Sequence, residues 1–195
     1  MTAILPLQSI HKKGIFGDHH KKNQSDLLQI SEVKDLTIIQ VVQYKRSKIK
    51  IDSVLVNDLK FSAESSKVVC NRDTRILWIA PRSWLIVSSK ENITDDIKKN
   101  CSNEDFSITD ISHSRAVIQI SGMQAVEVLK KGCPINFNEF KINNCAGTVF
   151  NGITILVDFV DNKPEKLHLL TLRSFGESFY HHITDAALEF GYVGI

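Results

Sequence analysis

The chain is predicted to be an α+β protein built from a duplicated β-α-β-β-β-α unit with pseudo-two-fold symmetry. Three observations predict it. Residues 115–121 alternate like a strand, with Ala116, Ile118 and Ile120 on a wholly apolar face and Val117 and Gln119 on a mixed one, and residues 123–131 follow with helical spacing. The same order of elements occurs twice: Ile39-Gln40-Val41 answers Ile118-Gln119-Ile120, and Arg75-Ile76-Leu77 answers Thr154-Ile155-Leu156, both at an offset of 79. The 195 residues, 43% hydrophobic and 24% charged, suit one domain or a compact pair of half-domains. Such a chain can bury about 70% of its unfolded surface without a disulfide or metal.

Residues 1–34 read as a basic arm. Lys12, Lys13, Lys21 and Lys22 cluster with His11, His19 and His20, and Ile15-Phe16 is its apolar pair. The arm is expected to be partly flexible or ordered on a partner, with Phe16 as the anchor. Residues 1–10 lack the charged start and small-residue cleavage site of a signal peptide. The single duplicated domain then occupies 35–195, with half-units at about 35–107 and 108–195.

In the first half, β-branched residues in 36–44 predict a strand. Ser47 opens a short amphipathic helix reaching Leu59, although the Ile49–Val54 stretch also reads as extended. Strands at 67–70 and 75–80 flank an Asn-Arg-Asp-Thr turn, Pro81-Arg82-Ser83 makes the next turn, and 84–88 the next strand. Asn92 or Thr94 caps a helix running to Cys101.

In the second half, Thr109-Asp110 suits a turn before the strand. Ser121 is the expected N-cap, Met123, Val126 and Leu129 form the buried stripe, and Gly132 and Pro134 stop the helix. A longer turn at 160–165 precedes a strand at 167–172. The last helix starts at Ser174 or Glu177 and runs to Phe190, with Phe179, Ile183, Ala186 and Ala187 inward and Gly191 at its end. Its aromatic residues fit a core helix or an interface helix. Each half alone is too small to cover its own sheet, so the halves are expected to pack on each other.

Little here points to chemistry. Cys70, Cys101, Cys133 and Cys145 show no metal or redox spacing and read as reduced, buried thiols of a cytoplasmic protein. His19-His20 supply at most two ligands with no carboxylate cluster beside them. Asp110, Ser112 and His113 have the residue types of a hydrolytic triad but lie too close in sequence to adopt its geometry. The glycines form no phosphate-binding loop. Arg173-Ser174 before a helix suits an anion or an ion pair with Glu177. Trp78 and Trp84 flank a tight turn and read as core and rim packing. The net charge of +2 argues against nucleic acid, and no apolar run is long enough to span a membrane. No catalytic, cofactor-binding or metal residue is assigned.

Three stretches nonetheless carry a resemblance: ILWIAPRSWLIV at 76–87, ITDISHSRAVIQISGMQAVEVLKKGCPINF at 108–137, and LRSFGESFYHHITDAALEFG at 172–191. The tryptophan-flanked hairpin Trp78–Trp84, the Asp110-Ile111-Ser112-His113 strand start, the Lys131-Gly132-Cys133-Pro134 helix end and the Arg173-Ser174-Phe175-Gly176-Glu177-Ser178 helix start resemble the gamma subunit of heterotetrameric sarcosine oxidase, in that family's order. The hairpin departs from the family's pattern at Ala80, Arg82 and Ser83. The resemblance implies a fold related to the folate-binding domain of the glycine-cleavage T-protein, which is itself duplicated. It implies a non-catalytic structural subunit of a cytoplasmic complex that oxidatively demethylates sarcosine to glycine, with oxygen giving hydrogen peroxide and tetrahydrofolate capturing the one-carbon unit as 5,10-methylenetetrahydrofolate. It places FAD, FMN, NAD, tetrahydrofolate and zinc in the alpha, beta and delta partner subunits and none in this chain. The alternative is a stand-alone folate-binding or aminomethyltransferase-like domain. For an assembly subunit, large aromatics and arginines are the expected contacts: Phe16, Trp84, Arg173, Phe175 and Tyr180.

Overall fold

A computed structural model describes residues 5–20 and 22–195. Lys21 of the basic stretch and the first four residues of the stretch read for a signal peptide lie outside the described residues. In chain order the strands and helices are β1 (Gly14–Phe16), β2 (Leu28–Glu32), β3 (Thr37–Gln43), β4 (Leu55–Val56), β5 (Leu59–Lys60), β6 (Val68–Cys70), β7 (Thr74–Ala80), β8 (Ser83–Ser88), α1 (Ile93–Asn100) and β9 (Phe106–Asp110). They continue with β10 (Arg115–Ser121), α2 (Ala125–Lys130), β11 (Cys145–Phe150), β12 (Ile153–Asn162), β13 (Glu165–Leu172), α3 (Gly176–Ala187) and β14 (Tyr192–Gly194). They form two compact units. Among the described residues, unit 1 comprises 5–20, 22–34, 114–142 and 147–195, and unit 2 comprises 35–113 and 143–146.

Unit 2 holds a five-stranded sheet in the order β6-β7-β8-β3-β9 and the small hairpin β4-β5. Ile39 and Val41 of β3, Ile76 of β7, Trp84 and Ile86 of β8 and Phe106 of β9 share one face and pack with Ile93 and Ile97 of α1. Unit 1 holds a seven-stranded sheet in the order β1-β14-β2-β10-β13-β12-β11. Its α3 crosses the face carrying Ala116, Ile118 and Ile120: a Cβ on Gly176 would stand 3.1 Å from that of Ala116. Phe179 of α3 meets Phe150 edge-on, with ring centroids 6.0 Å apart.

The duplication is visible in both strand orders. β3 lies between β8 and β9, with β7 and β6 beyond; β10 lies between β13 and β2, with β12 and β11 beyond. The offset of 79 also preserves side-chain direction. Ile39 and Val41 are buried, as are Ile118 and Ile120; Ile76 is buried, as is Ile155. Since strand side chains alternate, a one-residue error in the repeat would have put these on opposite faces.

Several local expectations are corrected. The helix expected from Ser47 to Leu59 is a single 3-10 turn, Ile51–Ser53, followed by the β4-β5 hairpin. Asn57 and Asp58 both take positive φ there, at 49° and 63°, which is the two-residue turn that suits right-twisted strands. Thr109 and Asp110 close strand β9 rather than form a turn. Ser121 belongs to β10, and α2 starts two residues later than expected, so Ala125, Val128 and Leu129 are buried while Met123 is 76% exposed. Asn92 does precede α1, but in left-handed conformation and without a side-chain cap bond. β1, β2 and β14 were not foreseen. β14 runs parallel to β2 and antiparallel to β1, so residues from the basic stretch contribute two strands to unit 1.

Candidate functional site

The motif residues that carry the resemblance are the natural candidates, and most have an internal partner. At the end of β9, the Ser112 hydroxyl donates to Asp110 Oδ1 at 2.6 Å, and the Ser112 N–H donates to the same oxygen at 2.9 Å. The Ile38 N–H donates to Ser112 Oγ at 2.8 Å, and the Ile111 N–H to the Ile38 carbonyl at 2.9 Å. These bonds clasp the end of β9 to β3. Hydrogen bonds from the Ser112 side chain and backbone hold the Asp110 carboxyl below the usual carboxylate range, with His113 adding a smaller pull. The Ser112 hydroxyl thus bridges a carboxylate and a backbone amide, which orders the chain at the end of β9.

The Lys131-Gly132-Cys133 segment does similar work at the far end of α3. Lys131 Nζ donates to the Ala186 carbonyl at 2.6 Å, pairs with Glu189 at 2.6 Å and lies 4.6 Å from the Phe190 ring centroid. A cation at the C-terminal end of a helix satisfies its orphan carbonyls and opposes its dipole. Cys133 Sγ lies 3.7 Å from Thr148 Oγ1. The start of α2 is closed from β13: Glu165 Oε2 accepts the Val126 N–H at 2.9 Å, and the Glu165 carbonyl accepts the Gly122 N–H at 2.9 Å.

In the tryptophan hairpin, Trp78 and Trp84 sit directly opposite each other across β7 and β8. Trp84 is 2% exposed, donates Nε1–H to the Ser62 carbonyl at 2.7 Å, and meets Phe61 edge-on at 5.3 Å. It has no surface to offer a partner. Tyr180 is likewise corrected from contact to core: it is 4% exposed. Its oxygen lies 2.9 Å from His11 Nδ1, while His11 Nε2 lies 2.8 Å from the Ile195 carbonyl. Because that carbonyl can only accept, a neutral His11 donates from Nε2 and accepts the Tyr180 proton at Nδ1. Burial pushes the Tyr180 phenol up, against a backbone bond from Lys12. Phe16 stacks on Tyr192 at 5.2 Å and is half-buried.

The helix-start motif differs. Phe175 is 47% exposed and Leu172 is 42% exposed, with Arg173 partly exposed between them. Arg115, opposite Leu172 on β10, is a residue that the sequence reading did not single out. Its signal was available in the alternation, which puts Arg115 on the mixed face of β10. Among the described residues, no group of three or more His, Cys, Asp or Glu is placed to hold a metal ion, and no helix is long and apolar enough to cross a membrane.

With this geometry in place, residues 57–189 match the family described as "Sarcosine oxidase, gamma subunit family". The chain belongs to that family. Curated gamma subunits agree: the sarcosine oxidase subunit gamma of Corynebacterium sp. (strain U-96) is 30% identical over 121 residues, and that of Arthrobacter sp. is 26% identical over 120 residues. Each match covers 60% of this chain and 58% of the relative, so the chain spans less than two thirds of either. Among solved structures, a chain of the heterotetrameric sarcosine oxidase from Corynebacterium sp. U-96, in complex with pyrrole 2-carboxylate, superposes with a TM-score of 0.76 at 24% identity, covering 86% of this chain and 87% of that one. The glycine cleavage system aminomethyltransferase T from Bartonella henselae gives a TM-score of 0.63 at 12% identity, over 88% of this chain and 49% of that one. The chain therefore has the duplicated α+β fold that the repeat predicted, and it shares the fold of the glycine-cleavage T-protein that the resemblance implied.

Proposed function

We propose that this gamma-family chain is the structural, non-catalytic gamma subunit of a cytoplasmic heterotetrameric sarcosine oxidase. The assembled enzyme would oxidatively demethylate sarcosine to glycine, reduce oxygen to hydrogen peroxide, and transfer the one-carbon unit to tetrahydrofolate as 5,10-methylenetetrahydrofolate. FAD, FMN, NAD, tetrahydrofolate and zinc would belong to the alpha, beta and delta partners. The observation that carries the reading is the family match over residues 57–189. It is supported by where the motif residues go: Asp110, Ser112 and Lys131 are engaged in bonds that hold strands and helix ends together.

The test is co-purification. Tagged chain expressed with the flavoprotein subunits should retain them, and a chain that never does so would sink the proposal. The stand-alone folate reading draws on the Asp110-Ile111-Ser112-His113 element and on the fold shared with aminomethyltransferase T. Titration of the isolated chain with tetrahydrofolate separates the two: the structural reading expects no stoichiometric binding.

A further inference from the structure

The pair Arg115 and Leu172 stands out because an arginine whose side chain bonds only its sequence neighbour lies beside an exposed leucine. They face each other as the last pair of the β10–β13 ladder. The β2 ladder reaches only Ile118 to Ser121, and the Val33 N–H bonds the Val117 carbonyl, which leaves Arg115 beyond the paired stretch on that side. Leu172 is 42% exposed, and Phe175 follows one 3-10 turn later at 47%. The Arg115 guanidinium donates only to its neighbour, from Nη1 to the Ser114 carbonyl at 3.3 Å and to Ser114 Oγ at 3.2 Å. Among the described residues, no carboxylate pairs with it. Burial already pulls its pKa below the ordinary arginine value. A cation that is partly desolvated and unmatched by a counter-charge is the arrangement that gains most from a partner's carboxylate, because part of the desolvation has already taken place.

We propose that Arg115 and Leu172 form the anchor of a subunit-docking surface, with the guanidinium receiving an Asp or Glu carboxylate carried on an aliphatic segment of a flavoprotein partner. The planar fork of arginine donates two parallel bonds to the oxygens of a carboxylate, and the exposed leucine beside it takes the aliphatic flank. This rests on the assembly reading above and names the chemistry of the partner.

The experiment uses the full chain with its flavoprotein subunits. Arg115→Glu places like charge against the carboxylate and should weaken association with those subunits about tenfold or more. Arg115→Lys keeps the charge but loses the fork, and should weaken it a few-fold. Both variants should melt within a few degrees of the parent as isolated chains. As a second measurement on otherwise unchanged protein, a photo-crosslinking residue at position 172 should capture a partner peptide that contains Asp or Glu. Unchanged association of Arg115→Glu, or a captured peptide without an acidic residue, overturns the proposal while leaving the assembly reading intact. If the parent chain retains no flavoprotein at all, the assembly reading fails and this inference falls with it.

Discussion

Replacing Asp110 tests whether the family's Asp-x-Ser-His element is scaffold or chemistry. Asp110→Ala removes the acceptor of two bonds, from the Ser112 hydroxyl at 2.6 Å and the Ser112 N–H at 2.9 Å. Hydrogen bonds to a charged group contribute about 1.5–3 kcal/mol each where water is excluded. Asp110 is exposed, so water replaces much of what is lost, and the expected net cost is about 1 kcal/mol. In a domain of this size that corresponds to a fall in Tm of about 2–4 °C. The dependence on pH has a definite sign. The folded carboxyl titrates below its unfolded value, so its contribution is complete above the unfolded pKa of about 3.9 and is lost as pH falls through the folded value. Melting curves at neutral and acid pH should therefore converge for parent and Asp110→Ala as acid protonates the group. Asp110→Asn, which keeps an acceptor oxygen, should lie between them at neutral pH. In the complex proposed above, flavin-normalised turnover should be unchanged. Lost turnover with an unaltered melting curve would refute the reasoning and make Asp110 a functional residue.

Four further outcomes are expected. Leu7 is fully buried and its N–H donates to Glu32 Oε1 at 3.0 Å, so Leu7→Ala should cost about 2–5 kcal/mol in chemical denaturation, showing the N-terminal stretch to be part of the fold. Gly191 has φ of 71°, and a Cβ there would stand 2.5 Å from the Asp18 carbonyl oxygen, so Gly191→Ala should cost about 2 kcal/mol or more by the same assay. Lys131→Met removes the bond to Ala186, the Glu189 pair and the Phe190 contact on a partly exposed side chain, and should lower stability by about 1 kcal/mol with faster amide exchange confined to the end of α3. Burial, with the Asp96 carboxylate adding to it, pushes the Cys101 thiol up to about 12, so a thiol reagent at pH 8 should label it only when the chain unfolds.

Local patterns in the sequence carried much of the architecture. The alternation in 115–121 gave β10 with its correct ends, and the repeat at 79 residues gave the matching faces of both sheets, because direction depends only on counting residues along a strand. Non-local pairing was not legible. Nothing local tells Leu28–Glu32 to lie beside β10, or Phe106–Asp110 beside β3, because that choice is made by which sheet edge is open after the hairpins form. The 47–59 helix failed for a readable reason: Asn57-Asp58 is a turn pair, and both residues accept positive φ. Met123 failed because Gly122 takes φ of 126° and its N–H is held by Glu165, which delays the helix and rotates its buried face. Among the contact residues, aromatic identity pointed equally to core and surface. Burial separates Trp84 and Tyr180 from Phe175, and the partial burial of Arg115, with its guanidinium bonded only to Ser114, is a feature that only the fold reveals.

Native mass spectrometry of the co-expressed complex tests the central claim most directly. The account predicts a flavin-bearing assembly that, on activation, releases this 22.0 kDa chain with no flavin, folate or zinc mass attached. A released chain that keeps any of those masses, or an active flavin-bearing assembly from which this chain is absent, would contradict it.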